Sequence, residues 1–265
     1  METAAKYQSN RGDAGQTSSG RKKQRGLIAF GKKARHGINR FLAKTSLIPN
    51  DPFIDPRWVP GIDKLARDWT TIRAELNELM ATRSNIPPLG SISPDHRRIA
   101  PNDAWRSFFF VGHDYRVVDN CQRCPKTAAL IDQVPGLVVA FFSIFEPHTH
   151  VPPHRGVSKA MLNVHLPLIV PTGPGRCELR ANEQVRNWHE GELLVLDETW
   201  QHEAFNLTDE VRVVLFLQVK RPMRWHGRLV GDLFLWAMRQ TSYVKDARSA
   251  IAATRMKSAS RTQKP

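Results

Sequence analysis

Apolar positions along this chain change their period twice. Over residues 61–83, Ile62, Leu65, Ala66, Trp69, Ile72, Leu76, Leu79 and Met80 recur at three- and four-residue intervals, which predicts an amphipathic helix. Residues 105–111 read as an aromatic strand, and residues 126–133 as a short helix ended before Pro135. From Val138 the pattern breaks into short β-rich runs: 138–145, 161–170, 176–181, 184–188, 192–197, 202–206 and 211–219. Gly173, Gly175, Asn182 and Gly191 fall in the turns between them. Many short strands at near-regular spacing predict a sandwich or jelly roll. Pro222 ends the last strand, and residues 225–240 return to helical spacing with Leu229, Leu233 and Trp236 on one face.

Outside this core the pattern weakens. Residues 1–26 are too polar to order themselves by burial. Residues 27–43 place Leu27, Ala34, Ile38 and Phe41 at helical spacing, with Lys32, Lys33, Arg35 and Arg40 on other faces. That pattern suits either a helix lying in a headgroup layer or one docked on the protein's own core. A Pro/Asp linker follows over residues 49–60. Charge sharpens the division. The total of +14 resolves into +9 over residues 1–50, −4 over 51–219 and +9 over 220–265. Basic ends on a slightly acidic core suggest a polyanionic surface, either anionic lipid or nucleic acid. Nucleic acid is the weaker choice, because no helix-turn-helix, RNA-binding or zinc-finger signature occurs. Three cysteines and no secretory signal argue for a reducing, cytoplasmic setting. No run reaches the roughly 20 apolar residues of a spanning helix. The expected location is therefore the cytoplasm, with peripheral contact at the inner face of a membrane.

The candidate chemistry lies in Pro152-Pro153-His154-Arg155-Gly156, Gln201-His202-Glu203 and Arg212. Two histidines and a carboxylate in a facial arrangement hold divalent iron and leave positions open for co-substrate and dioxygen. The usual sequence form is His-x-Asp, but Gly156 stands where the acid belongs. A cluster of His148, His150 and His154 leaves zinc as an alternative. Arg212 lies within the apolar strand Val211–Leu217, and a guanidinium there needs an anion. That anion is either a small-molecule carboxylate, which its planar fork matches, or a protein carboxylate. Cys121-x-x-Cys124 suits a structural turn better than a redox pair or half a zinc site.

Several of these segments resemble the aspartyl/asparaginyl β-hydroxylase family: VVAFFSIFEPHTHVPPHRG, then NWHEGELLVLDETWQHEAFN, then RVVLFLQVKRP, with NCQRCPKT upstream. The resemblance covers roughly residues 62–223. It implies a double-stranded β-helix (a cupin-like jelly roll) with supporting N- and C-terminal helices. It also implies Fe(II) held by His154 and His202, with glycine and water in place of the acid. By the same pattern Arg212 takes the distal carboxylate of 2-oxoglutarate, Ser143 assists it, and His165 lines the co-substrate pocket. The implied reaction couples decarboxylation of 2-oxoglutarate, using O2, to hydroxylation of an unactivated C–H bond. One position departs from the pattern: family members usually carry Arg where this chain has Asn163.

Two substrate classes follow, a fatty acyl chain of a membrane lipid and an Asp or Asn residue of a polypeptide. The basic ends favour the lipid, since each Lys or Arg near an anionic leaflet contributes about 1 kcal/mol. A non-enzymatic jelly-roll binding protein with basic arms is the remaining alternative. The expected domains are a basic extension over 1–50, a dioxygenase domain over 51–222 and a basic helical extension over 223–265.

Overall fold

A computed structural model describes residues 35–92, 99, 103–113 and 115–240. Contacts divide the chain into residues 1–38 and 39–265. Of the first unit, residues 35–38 are described, and they are helical. The rest of the expected amphipathic segment before residue 35 lies outside the described residues.

The second unit begins with helical residues 39–45 (α1). Then follow β1 (Phe53–Ile54), α2 (Asp63–Arg67), α3 (Trp69–Met80), α4 (Leu89–Ile92), β2 (Trp105–Gly112), β3 (Tyr115–Arg116), α5 (Val118–Arg123) and α6 (Pro125–Ile131). The barrel strands are β4 (Leu137–Phe145), β5 (Thr149–His154), β6 (Met161–Ile169), β7 (Cys177–Ala181), β8 (Gln184–Asn187), β9 (Leu194–Leu196), β10 (His202–Asn206) and β11 (Arg212–Lys220). Helix α7 (Trp225–Arg239) closes the described chain.

The strands form two antiparallel sheets, ordered β1-β9-β6-β11-β4-β2-β3 and β5-β10-β7-β8. This is the jelly roll that the short-strand pattern predicts. Successive side chains of a strand point to opposite faces, and here each face has its own core. Val213, Leu215, Leu217 and Val219 join Leu162, Val164, Leu166, Ala140, Phe142 and Ile144 on the outer face of the large sheet. Ile72, Leu76 and Leu79 of α3 and Ile131 of α6 pack over them. The inner face carries Phe145, Val214 and Leu196 against Val151, Leu179 and Ala204 of the small sheet. Arg212, Ser143, His165 and Asn163 fall at inner-face positions by the same alternation, so a polar site is set into an apolar sandwich.

One local reading changes. The helix expected over 61–83 is two helices, α2 and α3, meeting at Asp68, where the backbone turns to φ −102 and ψ 19. Asp is a weak interior helix residue and a common helix start. Beside the break, the Trp69 indole packs beneath the turn at Gly191, where an added Cβ would come within 2.8 Å of Nε1. Gly191 also has φ 78, so both space and conformation call for glycine. The Pro-rich run Thr149–His154 is a strand at the edge of the small sheet, where a missing N–H costs no ladder bond.

Candidate active site

The register of β5 against β10 sets His154 directly opposite His202, with ring centroids 4.1 Å apart. Each ring has its Nδ1 2.9 Å from the carbonyl oxygen two residues upstream, Pro152 for His154 and Trp200 for His202. In each, Nδ1–H donates to that carbonyl, so the lone pair sits on Nε2. Such a main-chain bond fixes both tautomer and ring orientation of a metal ligand. His202 is buried, and burial with the neighbouring His154 pulls its pKa down to about 4. A neutral imidazole at ordinary pH is the form that binds a cation.

The two histidine segments are tied together beyond the ladder. The Gly156 N–H donates to the Glu198 carbonyl at 2.6 Å, and Arg155 donates to the Thr199 carbonyl. Asp197 anchors the turn before His202. It is fully buried and pairs with Arg221 at 2.7 Å and with Lys159. Burial alone would raise its carboxyl, but Arg221 and Lys159 hold it below the ordinary value.

Arg212, 1% exposed, lies between Phe145 and Trp188, its guanidinium carbon 3.6 and 4.5 Å from the two ring centroids. Among the described residues no carboxylate pairs with it, and its Nε has no hydrogen-bond partner. Burial therefore pulls its pKa down. The protein-carboxylate alternative finds no partner among the described residues. His165 presents a second such group. The Trp188 indole N–H donates to its Nδ1 at 3.1 Å, which places the ring proton on Nε2. That Nε2 is buried without a partner, and desolvation with Arg212 nearby pushes the ring pKa down to about 3. Ser143 is buried, and its Oγ accepts from the Trp105 indole at 3.0 Å, leaving its own proton to donate elsewhere. Two orphaned buried donors cost several kcal/mol unless an acceptor fills the space. A small carboxylate would supply the kind of acceptor that each lacks.

The other sequence candidates go elsewhere. His148 sits in a turn and pairs with exposed Asp209, while His150 stacks on Phe205 beside Glu203. Neither forms a three-histidine face with His154, and the described residues contain no cluster of three or more His, Cys, Asp or Glu able to hold a metal. Cys121 lies on α5 and Cys124 joins α5 to α6; both are buried free thiols, and burial pushes Cys124 up to about 12.

Glu198 is the residue that sequence reading passes over. Its carboxyl fills the space that a side chain at position 156 would need, since a Cβ on Gly156 would lie 2.3 Å from Glu198 Cδ. An acid does stand beside Gly156, but it arrives from the turn before the second histidine. The missing Asp was the available signal. Burial pushes this carboxyl up to about 7, against hydrogen bonds from Asn163 and Gln218 that pull it down. Between its ordinary value of 4.5 and about 7, the unfolded chain gives up this proton before the folded one does. Its contribution to stability thus falls as pH rises through that window. His165 and His202, held neutral, act oppositely as pH drops below 6.5. In metal-free protein, Glu198→Gln is expected to gain on the parent from about pH 5 to about pH 7 and then level off, by at most about 3 kcal/mol. Urea unfolding across pH checks this; a flat difference would show Glu198 to be ionised throughout.

The family model for aspartyl/asparaginyl β-hydroxylase matches residues 66–222. The chain belongs to that family. It is 37% identical to an ornithine lipid ester-linked acyl 2-hydroxylase of Rhizobium tropici, over 74% of this chain and 68% of that protein. It is 26% identical to human aspartyl/asparaginyl beta-hydroxylase over 66% of this chain, a match that spans 23% of the human protein's length. Among solved structures, a viral collagen prolyl hydroxylase overlaps at a TM-score of 0.33 and 11% identity, covering 56% of this chain and 91% of that one. So slight a likeness adds nothing to the argument. Family membership makes this protein an enzyme, a dioxygenase of the hydroxylase type.

Proposed function

We propose that the protein is an Fe(II)- and 2-oxoglutarate-dependent dioxygenase that hydroxylates an unactivated C–H bond in a fatty acyl chain of a membrane lipid. The observation that carries the chemistry is the pair of orphaned donors, Arg212 Nε and His165 Nε2, in the same barrel as the opposed His154 and His202. The residues fit the group: His154 and His202 would hold iron through Nε2, and Arg212, His165 and Ser143 would receive the far carboxylate of 2-oxoglutarate. Bound iron with its co-substrate supplies dioxygen activation. The chain's own work is to orient and to exclude water. Phe145 and Trp188 close over the Arg212 guanidinium, so its charge acts in a low-dielectric setting where it is worth more than in water.

The substrate class rests on what lines the inner face beyond His165. Asn163 stands where a cation would be needed for an acidic side chain. It joins a hydrogen-bonded set in which Gln218 Nε2 donates to Asn163 Oδ1 at 3.2 Å and to Glu198 Oε2 at 3.1 Å. That set offers no positive charge to an aspartate. An aromatic row runs outward from the same place, with successive ring centroids 5.1, 4.7 and 4.6 Å apart from His165 to Phe216, Phe141 and Phe109. Phe216 and Phe109 remain half-buried, an apolar surface suited to a hydrocarbon chain. The rhizobial relative is an acyl hydroxylase, which supports the same reading. Hydroxylation of Asp or Asn in a polypeptide is the alternative, supported by the human relative. An acyl substrate is met at a bilayer, so peripheral contact with an anionic membrane belongs to this proposal.

The test is to load the protein with Fe(II) and 2-oxoglutarate without oxygen, admit air, and follow succinate together with mass spectra of lipid and peptide pools. Succinate formation with a gain of one oxygen on an acyl chain is expected. A gain confined to peptides would overturn the acyl assignment, and absence of succinate would overturn the iron and 2-oxoglutarate assignment.

A further inference from the structure

Helix α7 carries its hydrophobic residues on the wrong side for a globular core. Trp225 is 72% exposed, Leu229 64%, Leu233 62% and Trp236 56%. Their spacing of four, four and three residues puts all four on one stripe. The helix meets the body through its opposite face. An added Cβ on Gly227 would collide with Thr45 Oγ1 at 2.1 Å, and one on Gly231 would touch Ala160 at 3.4 Å and Leu42 at 3.9 Å. The glycines are there for close docking, and buried Leu235 completes that contact face. Phe41 of α1, 38% exposed, adds to the apolar surface through its ring contact with His226.

We propose that this stripe is a docking surface for an anionic lipid bilayer and that it sets the catalytic barrel on the membrane. The inference rests on the acyl-hydroxylase reading for its purpose but not for its physics. Charge complementarity selects the occupant. Arg224, which caps α7, and Arg228 on α7 are exposed, as are Arg40 and Lys44 on α1, and residues 220–265 carry a net +9. The acid on the helix, Asp232, is already paired with Lys220 at 2.7 Å. Basic residues flanking a Trp/Leu stripe are what a helix needs to lie in the headgroup layer, indoles at the interface and leucines below it. A second copy of the chain is the poorer occupant, because a two-fold pairing of this face would bring like charge against like charge.

Continuity with the site gives the surface its use. The turn that leaves Gly156 runs through exposed Val157 to Ala160, directly against α1 and α7. Asn39 of α1 clasps it, donating to the Val157 carbonyl at 3.2 Å and accepting from the Lys159 N–H at 3.0 Å. Five residues lie between His154 and Ala160, so one short, clasped segment joins the histidine strand to the helix that carries the stripe.

The experiment uses the full chain in co-sedimentation with vesicles of phosphatidylglycerol in phosphatidylcholine, and of phosphatidylcholine alone. The parent should sediment with the anionic vesicles, less so at high salt because exposed charge is screened. Leu229→Ser with Leu233→Ser should weaken that binding about tenfold or more. Melting temperature and vesicle-free succinate formation should stay at parent values, since both leucines are solvent-exposed. The proposal is overturned if the parent ignores anionic vesicles or if the double variant binds them as the parent does. It is equally overturned if light scattering finds a vesicle-indifferent dimer that the substitutions dissociate. Succinate formation is read separately, so a parent that forms succinate yet ignores anionic vesicles refutes the docking surface alone. Loss of turnover in the parent refutes the dioxygenase reading alone.

Discussion

His154→Ala and His202→Ala should each abolish both iron retention and succinate formation. The structure presents two imidazoles on paired strands, each with Nδ1 spent on a main-chain carbonyl, which leaves the lone pair on Nε2. No third His, Cys, Asp or Glu clusters with them among the described residues. On the proposed reading the iron has so few protein ligands that none is to spare, and Glu198, bonded to Gln218, would not replace one. His148→Ala is the control. That ring is exposed and paired with Asp209, so metal content and turnover should match the parent. Iron is measured after dialysis and succinate by coupled assay. Retention of both in either active-site variant would place the metal elsewhere. The variants should fold, because each removes a side chain at the mouth of the small sheet and leaves the main-chain ladder of β5 and β10 untouched.

Much of this was legible in the chain, and the reasons are physical. The strands from Leu137 to Lys220 lie within one or two residues of the expected runs, except β5, which falls outside them, because alternation is strict wherever one face of a sheet is buried against helices. Arg212 was legible as chemistry because a guanidinium in an apolar strand demands an explanation. Glu198 was not legible, because its role depends on a turn that carries it back across the sheet to Gly156, a contact that no spacing encodes. The strand at Thr149–His154 keeps its prolines because they are tolerable at the edge position it occupies. The exposed stripe of α7 shows the limit of periodicity. Leu229, Leu233 and Trp236 announce a helix with an apolar face, but only Gly227 and Gly231 reveal that the opposite face is the one that docks.

Arg212→Met should separate two effects that a structural ion pair would bind together. The guanidinium is buried, with no carboxylate beside it among the described residues and with Nε unpartnered. Phe145 and Trp188 offset part of that cost through their ring faces. Replacing such a group by an apolar chain of similar length is neutral or stabilising in general. The melting temperature of the metal-free variant should therefore equal or exceed the parent's. The requirement for 2-oxoglutarate should move the other way. Truncating one side of a buried charge pair costs roughly 2–5 kcal/mol, which corresponds to about thirty-fold to several-thousand-fold in affinity. Arg212→Lys should fall between, keeping the charge but losing the fork that engages both carboxylate oxygens. Ser143→Ala should lose less, on the order of 1 kcal/mol, since it removes an uncharged donor and leaves the guanidinium in place. Thermal melts with and without 2-oxoglutarate, beside titration of succinate formation, measure both quantities on the same samples. If Arg212→Met melts well below the parent while its 2-oxoglutarate affinity stays within about twofold, the guanidinium is a structural strut and the carboxylate binds elsewhere.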